Sequence, residues 1–493
     1  MSEMSMGAAI RHFAAEDPQR PAITFEGRTI SRGELDAASN RLARAYASLG
    51  VGQDAVVTIA LPNGIEHYLA AVACWKLGAT PQPVSARLPA RERNAIVELA
   101  NPVLVVGVEP GTHGARCCLP AGFEPGAEHG AEPLPDAVAG AWKAPTSGGS
   151  TGRPKIIVAG QPSIIDPEAL TTFGQRPGGT QLVPGPLYHN APFAFSTRAL
   201  CSGCHLVVMS RFDAQQALEL IETHRIDWTL LVPTMMQRIW RLPEATRTGF
   251  DLSSLAGVLH LAAPCPPWLK RAWIDWLGAE RVWELYAGTE AQGVTVIRGD
   301  EWLLHEGSVG RPEPGTMRIL DADGRELPAG EIGEIFMRPL AGAGSTYRYI
   351  GADPKVVDDG WESLGDMGRF DADGYLHLAD RRTDMILSGG ANIYPAEVEA
   401  VIDAFPGVRS SCVIGLPDDD LGARVHGIVD APGGVDADVL RTFLGERLAR
   451  YKIPRSLEFV NEPVRDDAGK VRRSQLRADR LAAPAAANPE ARA

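Results

Sequence analysis

The chain has 493 residues, 45% of them hydrophobic, and a formal net charge of −13. That length can bury a large core and implies two or three domains, while the acidic balance argues against nucleic-acid binding, whose domains carry a basic excess. No run approaches the roughly 18 uninterrupted apolar residues of a membrane span.

In chain order, residues 1–13 lack a charged segment ahead of an apolar run, so no signal peptide is expected. Seven scattered cysteines, an odd number, read as reduced thiols, and the expected location is the cytoplasm. Residues 35–49 predict an amphipathic helix, 55–61 a buried strand, 65–77 a helix and 103–107 a second buried strand. Apolar strands separated by helices imply a largely parallel sheet covered on both faces. Residues 108–143 read as a loop region. The alternation resumes with strands at 181–184 and 206–209, a helix over 214–224, a strand at 228–232, a helix opened by Pro233, and shorter strands at 259–263 and 282–285. Cys201-Ser202-Gly203-Cys204-His205 has the form of a haem-attachment motif, but it joins a helix-like run at 195–200 to an apolar strand and is read as part of the fold. After about residue 302 the pattern changes to hairpins, with strands at 317–320, 334–338 and 375–378 and Asp-rich turns at 321–324 and 371–374. Those turns lack EF-hand spacing. A unit beginning near Arg381 predicts helices over 396–404 and 437–449 and strands at 411–414, 425–429 and 457–460, enough for a small α+β domain. Residues 481–493 read as a frayed tail.

The stretch Thr146-Ser147-Gly148-Gly149-Ser150-Thr151-Gly152-Arg153-Pro154-Lys155 carries the strongest chemical signal. Glycines let backbone N–H groups converge on one concavity, and hydroxyls add donors along a phosphate chain. The stretch reads as a polyphosphate cradle, yet no Walker A pattern fits it. Further along lie Tyr286-Ala287-Gly288-Thr289-Glu290, Gly365-Asp366, the run from Asp380 to Glu399 with Ser388-Gly389-Gly390-Ala391-Asn392 inside it, Tyr451-Lys452-Ile453-Pro454, and Gly469-Lys470 within a Gly-Lys-x-x-Arg ending at Arg473.

In this order, these segments resemble the acyl- and aryl-CoA synthetase branch of the adenylate-forming superfamily, which also holds peptide-synthetase adenylation domains and beetle luciferases. The resemblance spans nearly the whole chain. It implies an α/β fold: a large N-terminal domain of mainly parallel sheets covered by helices, with a β-hairpin-rich subdomain (1–381, the subdomain about 303–381), then a small mobile α+β C-terminal domain (382–480) and a flexible tail (481–493). It implies an acid–CoA ligase that uses ATP, Mg²⁺ and coenzyme A, with an acyl-adenylate intermediate.

By the same resemblance, Thr146, Ser147, Gly148, Gly149, Ser150, Thr151, Gly152 and Lys155 hold the β- and γ-phosphates, and Glu290 holds Mg²⁺. Thr289 contacts the α-phosphate, Tyr286 packs on adenine with Ala263 and Gly288 beside the nucleotide, Asp366 accepts the ribose hydroxyls, and Arg381 adds a ribose and phosphate contact. Lys470, bridging the acyl carboxylate and the α-phosphate, is the expected adenylation residue, with Glu290, Thr146 and His189 completing the catalytic set. Tyr188, His189, Ala262, Ala263 and Gly288 line the acid pocket. His189, Ser388, Gly389 and Gly390 form the pantetheine tunnel, and Thr383 occupies the hinge position, where relatives usually carry Asp or Lys. Leu261-Ala262-Ala263-Pro264 replaces the usual Gly-Gly-Ala run. The small side chains Ala191, Ala194, Ala262, Ala263, Gly288 and Gly293 point to a wide apolar cavity for a cyclic or polycyclic acid. The alternatives are a ligase that loads a carrier-protein thiol and, from another class, a kinase-type enzyme yielding ADP. A small-molecule acid and CoA are the expected partners; a homodimer is among the expected assemblies, since dimers are common in similar enzymes.

Overall fold

A computed structural model of the chain describes residues 3–148, 154–418, 420–466 and 469–482. Its centre is a nine-stranded sheet in the order Arg311–Pro312, Val294–Arg298, Val282–Ala287, Gly257–His260, Trp228–Leu231, Thr180–Val183, His205–Val208, Pro21–Phe25, Arg28–Ser31. The six inner strands are parallel, and the strands at either end are antiparallel to their neighbours. A second, wholly parallel sheet runs Thr80–Pro83, Val56–Ile59, Leu104–Val106, Cys117–Leu119. Each parallel pairing needs a crossover, which is why helices alternate with strands here.

Local chemistry sets the helix starts. Ser31 and Glu34 form a reciprocal capping box ahead of Arg32–Ser48, and Asp213 caps Ala214–His224. Pro233 opens Pro233–Trp240, where its fixed φ suits the first helical position and its missing N–H costs nothing.

The hairpin region forms an antiparallel sheet of Met317–Leu320, Gly333–Met337, Trp361–Phe370 and Lys355–Val357, with Leu376–Arg381 also paired to Trp361–Phe370. Both Asp-rich segments are turns: Asp321 Oδ1 accepts the N–H of Asp323 and Arg325, and Asp371 Oδ1 accepts those of Asp373 and Tyr375. The C-terminal elements gather their own core around Ile393, Val398, Ile402, Val413 and Leu440. A Ser410–Asp418, Gly422–Asp430, Ser456–Val460 sheet carries the helices Pro395–Asp403, Ala437–Gly445 and Arg473–Ala482.

Several expectations are corrected. The 108–143 loop region contains the strand Cys117–Leu119. The helix expected to 449 ends at Gly445. The strand expected to 263 stops at His260, because Ala262 adopts φ +74°, which no extended strand accommodates. Met6–Glu16 and Ala90–Ala100 are helices that the periodicity did not announce. Residues 481 and 482 close the last helix, and 483–493 lie outside the described residues.

The seven cysteines are unpaired. In the haem-like motif, Cys201 and Cys204 are buried and His205 Nε2 lies 2.8 Å from Thr24 Oγ1, so the motif is structural. Among the described residues, no helix is long and apolar enough to cross a membrane.

Candidate active site

Thr146–Gly148 and Pro154–Ala159 form the two arms of a hairpin, with Ser147 opposite Lys155. Residues 149–153, and with them the expected phosphate donors Gly149, Ser150, Thr151 and Gly152, lie outside the described residues. The arms are anchored from behind: the buried Gln82 donates to Thr146 Oγ1 at 3.3 Å and accepts from Thr58 Oγ1 at 2.5 Å. The hairpin continues through Pro154–Ala159 into Tyr347–Ile350, and that pairing builds a small polar cluster. Lys155 Nζ donates to Glu290 Oε1 at 3.1 Å and to Tyr349 Oη at 2.8 Å, and the Tyr349 hydroxyl donates to the same Glu290 oxygen at 2.6 Å. Burial and the Glu290 charge both push the Tyr349 phenol well above its usual range, so it stays a donor. Glu290 itself is buried.

Sequence reasoning missed Tyr349. Its only signal is the alternation Tyr347-Arg348-Tyr349, which places both phenols on one face of a strand.

Tyr286 and Gly288 stand at the end of the Val282–Ala287 strand. The Tyr286 hydroxyl donates to Asp366 Oδ2 at 2.8 Å, and Asp366 is directly opposite Arg381 in the antiparallel register; the Arg381 side chain is not described. Thr289 is half-buried between Gly288 and Glu290. A Cβ on Gly288 would sit 2.2 Å from Leu364 Cδ1, and one on Gly293 2.9 Å from Met317 Cε. These two glycines therefore open no cavity: neighbouring side chains already occupy that space.

On the side expected to take the acid, the Tyr188 and His189 rings are 4.4 Å apart at the start of the helix Asn190–Cys201. His189 Nε2 is buried with no hydrogen-bond partner among the described residues. Burial, and then the charge of Lys470, push its pKa down to about 3, so the ring is neutral. Lys143, another residue the sequence did not flag, donates to Asn190 Oδ1 and lies over the Trp142 ring at 4.4 Å. Burial, with the nearby Arg198, pushes it down to about 7.

Beyond His189 the same helix presents Ala191 and Phe195 to the sheet face formed by Trp228, Leu230, Leu259, Leu261, Trp283 and Leu285. Phe195 stacks on Trp228 at 5.7 Å, and Phe173 meets Phe195 at 6.1 Å and Trp283 at 5.9 Å. Ala262 and Ala263 follow the Gly257–His260 strand at the top of this face.

The C-terminal unit reaches this site through its last loop. Gly469 has φ +74°, and a Cβ there would lie 2.9 Å from Thr234 Oγ1 of the large unit. This contact brings Lys470 close enough for its charge to act on His189. The docking is held below by Gln237 Nε2 to the Asp403 carbonyl at 3.1 Å and by Arg241 to the Asp403 and Arg409 carbonyls at 2.9 and 2.7 Å. Ser388, Gly389 and Gly390 lie instead at the Ile386–Ser388/Ala391–Ile393 hairpin, and the Gly389 N–H donates to Leu421 in their own unit. Thr383 is in the turn that follows the Leu376–Arg381 strand, with the Arg382 N–H bonded to the Gly365 carbonyl at 2.8 Å. The fold thus joins Lys470 to His189, Lys155 to Glu290, and Tyr286 to Asp366, and leaves the Ser388–Gly390 segment outside that group.

Two family models match the chain: AMP-binding enzyme over residues 10–347 and AMP-binding enzyme C-terminal domain over 397–470. The chain is 32% identical to a feruloyl-CoA synthase of Amycolatopsis sp. (97% of this chain, 99% of that one). It is 30% identical to a fatty acid–[acyl-carrier-protein] ligase of Streptomyces coeruleorubidus (94% of each). The crystal structure of ATP-bound MatB from Rhodopseudomonas palustris matches with a TM-score of 0.79 at 25% identity, over 97% of this chain and 99% of that one. Family models and full-length relatives agree with the motif order and the two-unit fold: the chain belongs to the AMP-binding enzyme family, as an adenylate-forming enzyme of the acyl-CoA synthetase branch.

Proposed function

We propose that the protein is an ATP-dependent acid–CoA ligase acting on a ring-bearing apolar acid. In the first half-reaction the acid's carboxylate oxygen attacks the α-phosphorus of ATP, the bond to the β-phosphate oxygen breaks, and pyrophosphate leaves with the acyl-adenylate behind. In the second, the thiol of CoA adds to the acyl carbon and AMP departs, giving the thioester and a proton.

The observation that carries this reading is the docking of the Gly469 turn on Thr234, which puts the Lys470 charge within electrostatic reach of His189, the residue expected to border the acid. An ammonium there offsets the charge that grows between carboxylate and α-phosphate. Around it, Tyr286 and Asp366 take the nucleoside, with Arg381 opposite, and Thr146, Ser147 and Lys155 border the phosphate side. A neutral His189 allows an apolar acid and a thiol to approach without meeting a second cation. Ser388, Gly389 and Gly390 would approach in the thiol step through rotation at Thr383.

Mg²⁺ suits this site, because one buried carboxylate, Glu290, stands beside the phosphate hairpin, and the ion needs only one or two carboxylates when phosphates complete its shell. When bound, the ion neutralises charge on the departing pyrophosphate.

The substrate class is inferred from the aromatic cluster that the helix after His189 packs against. Phe173, Phe195, Trp228 and Trp283 pack against one another there, and an acid seated against their faces would favour a flat or polycyclic body over a long flexible chain. Acid-dependent exchange of labelled pyrophosphate into ATP over a panel of acids, followed by CoA or a carrier protein, tests both parts. Aromatic and alicyclic acids are expected to exchange fastest, and free CoA to yield thioester. Preference for long linear acids refutes the substrate class. Thioester only on a carrier protein refutes CoA as acceptor.

A further inference from the structure

Lys470 lies between the strand Ser456–Val460 and the helix Arg473–Ala482, and a side chain on a connecting segment is well aimed only if that segment is held. Both ends of this one converge on a single carboxylate. Glu399, in the helix Pro395–Asp403, is 4% exposed. Its Oε2 accepts from Arg465 Nη2 at 2.6 Å, and both its oxygens accept from Arg473 Nη2, at 2.8 and 2.7 Å. Oε1 also accepts the Val413 N–H at 2.7 Å.

The clamp extends to the residue before Lys470, because Arg465 Nη1 donates to the Gly469 carbonyl at 3.2 Å. The Asp466 N–H donates to the Lys470 carbonyl at 2.9 Å, and the Lys470 N–H donates back to Asp466 Oδ1 at 2.8 Å. Through its other nitrogen, Arg473 reaches Asp384 at 2.9 Å, one residue past Thr383. Burial alone would push the Glu399 carboxyl up; the two guanidiniums and the amide outweigh it and hold it below its usual range, so it is ionised. Buried ion clusters of this kind add little stability over apolar packing of equal volume. Orientation of the turn they enclose is what remains for them to supply.

We propose that Glu399 is a positioning residue for adenylation: through Arg465 and Arg473 it fixes where the Lys470 ammonium meets the acyl carboxylate and the α-phosphate. The proposal rests on the reading of Lys470 given above.

The test uses the full-length enzyme with Glu399→Gln and Arg465→Lys, each alone and combined with Lys470→Ala. Both single variants are expected to slow acyl-adenylate formation about 100-fold, the cost of displacing a catalytic group by about 1 Å. KM for ATP and acid, and conversion of pre-formed acyl-adenylate to thioester, should be unchanged. In the Lys470→Ala background neither variant should slow the residual adenylation further. Equal loss in both half-reactions, loss additive with Lys470→Ala, or full-rate adenylation in the variants overturns the proposal. Should Glu399→Gln not fold, Arg465→Lys decides alone, since it leaves Glu399 paired with Arg473. Lys470→Ala with undiminished adenylation would instead refute the reading of Lys470.

Discussion

The two units each bury a carboxylate beside an element proposed to act in catalysis, and the two are satisfied differently. Glu399 receives two guanidiniums and an amide across both oxygens. At Glu290 the ammonium of Lys155 and the phenol of Tyr349 both fall on Oε1. A carboxylate whose acceptors are spread over several fixed donors is part of the scaffold. One whose donors crowd a single oxygen keeps acceptor capacity for a ligand that arrives later. The contrast matches the two proposed roles, Glu399 aiming the machinery and Glu290 meeting the ligand.

The contrast can be broken by matched substitutions. Glu399→Gln leaves Arg465 and Arg473 without their shared anion, and should lower unfolding free energy by about 3–5 kcal/mol, read from urea midpoints. Glu290→Gln should do the reverse, leaving the urea midpoint near the parent's while slowing pyrophosphate exchange on the order of 10²–10³-fold. Equal stability losses in both would erase the distinction.

The smallest effect expected is a pH effect at His189. Its pKa lies near 3 in the folded protein, below the usual value near 6.5 of an unfolded chain. The unfolded state therefore binds the extra proton first as pH falls, and stability is lost from about pH 6.5 downward, with no contribution above it. Between pH 6.5 and 5.5 the parent should lose about 1 kcal/mol more than His189→Gln, measured from paired urea titrations; identical losses would place the histidine in contact with water.

Much of this was legible in the sequence wherever the signal was local. Ala214–His224 and Met317–Leu320 have the bounds their patterns predict, and Pro233 opens its helix. Motif order along the chain was enough to identify Glu290, Asp366 and Lys470 as candidates. What was not legible is non-local. Tyr349 meets Lys155 across 194 residues, and Arg473 meets Glu399 across 74. No periodicity reports such pairings. Ala90–Ala100 escaped notice because it buries only Ile96, Val97 and Ala100 behind a charged face. Gly288 and Gly293 misled in the opposite sense: small residues imply open space only when nothing else fills it, and Leu364 and Met317 do.

The left-handed turn at Gly469 also has a mechanical consequence. Because hydrogen is the largest group that fits between its backbone and the Thr234 hydroxyl, this one position is a thickness gauge for the seam between the units. A side chain there would press on Thr234 and wedge the seam, leaving the ammonium short of its proposed target with every chemical group still intact.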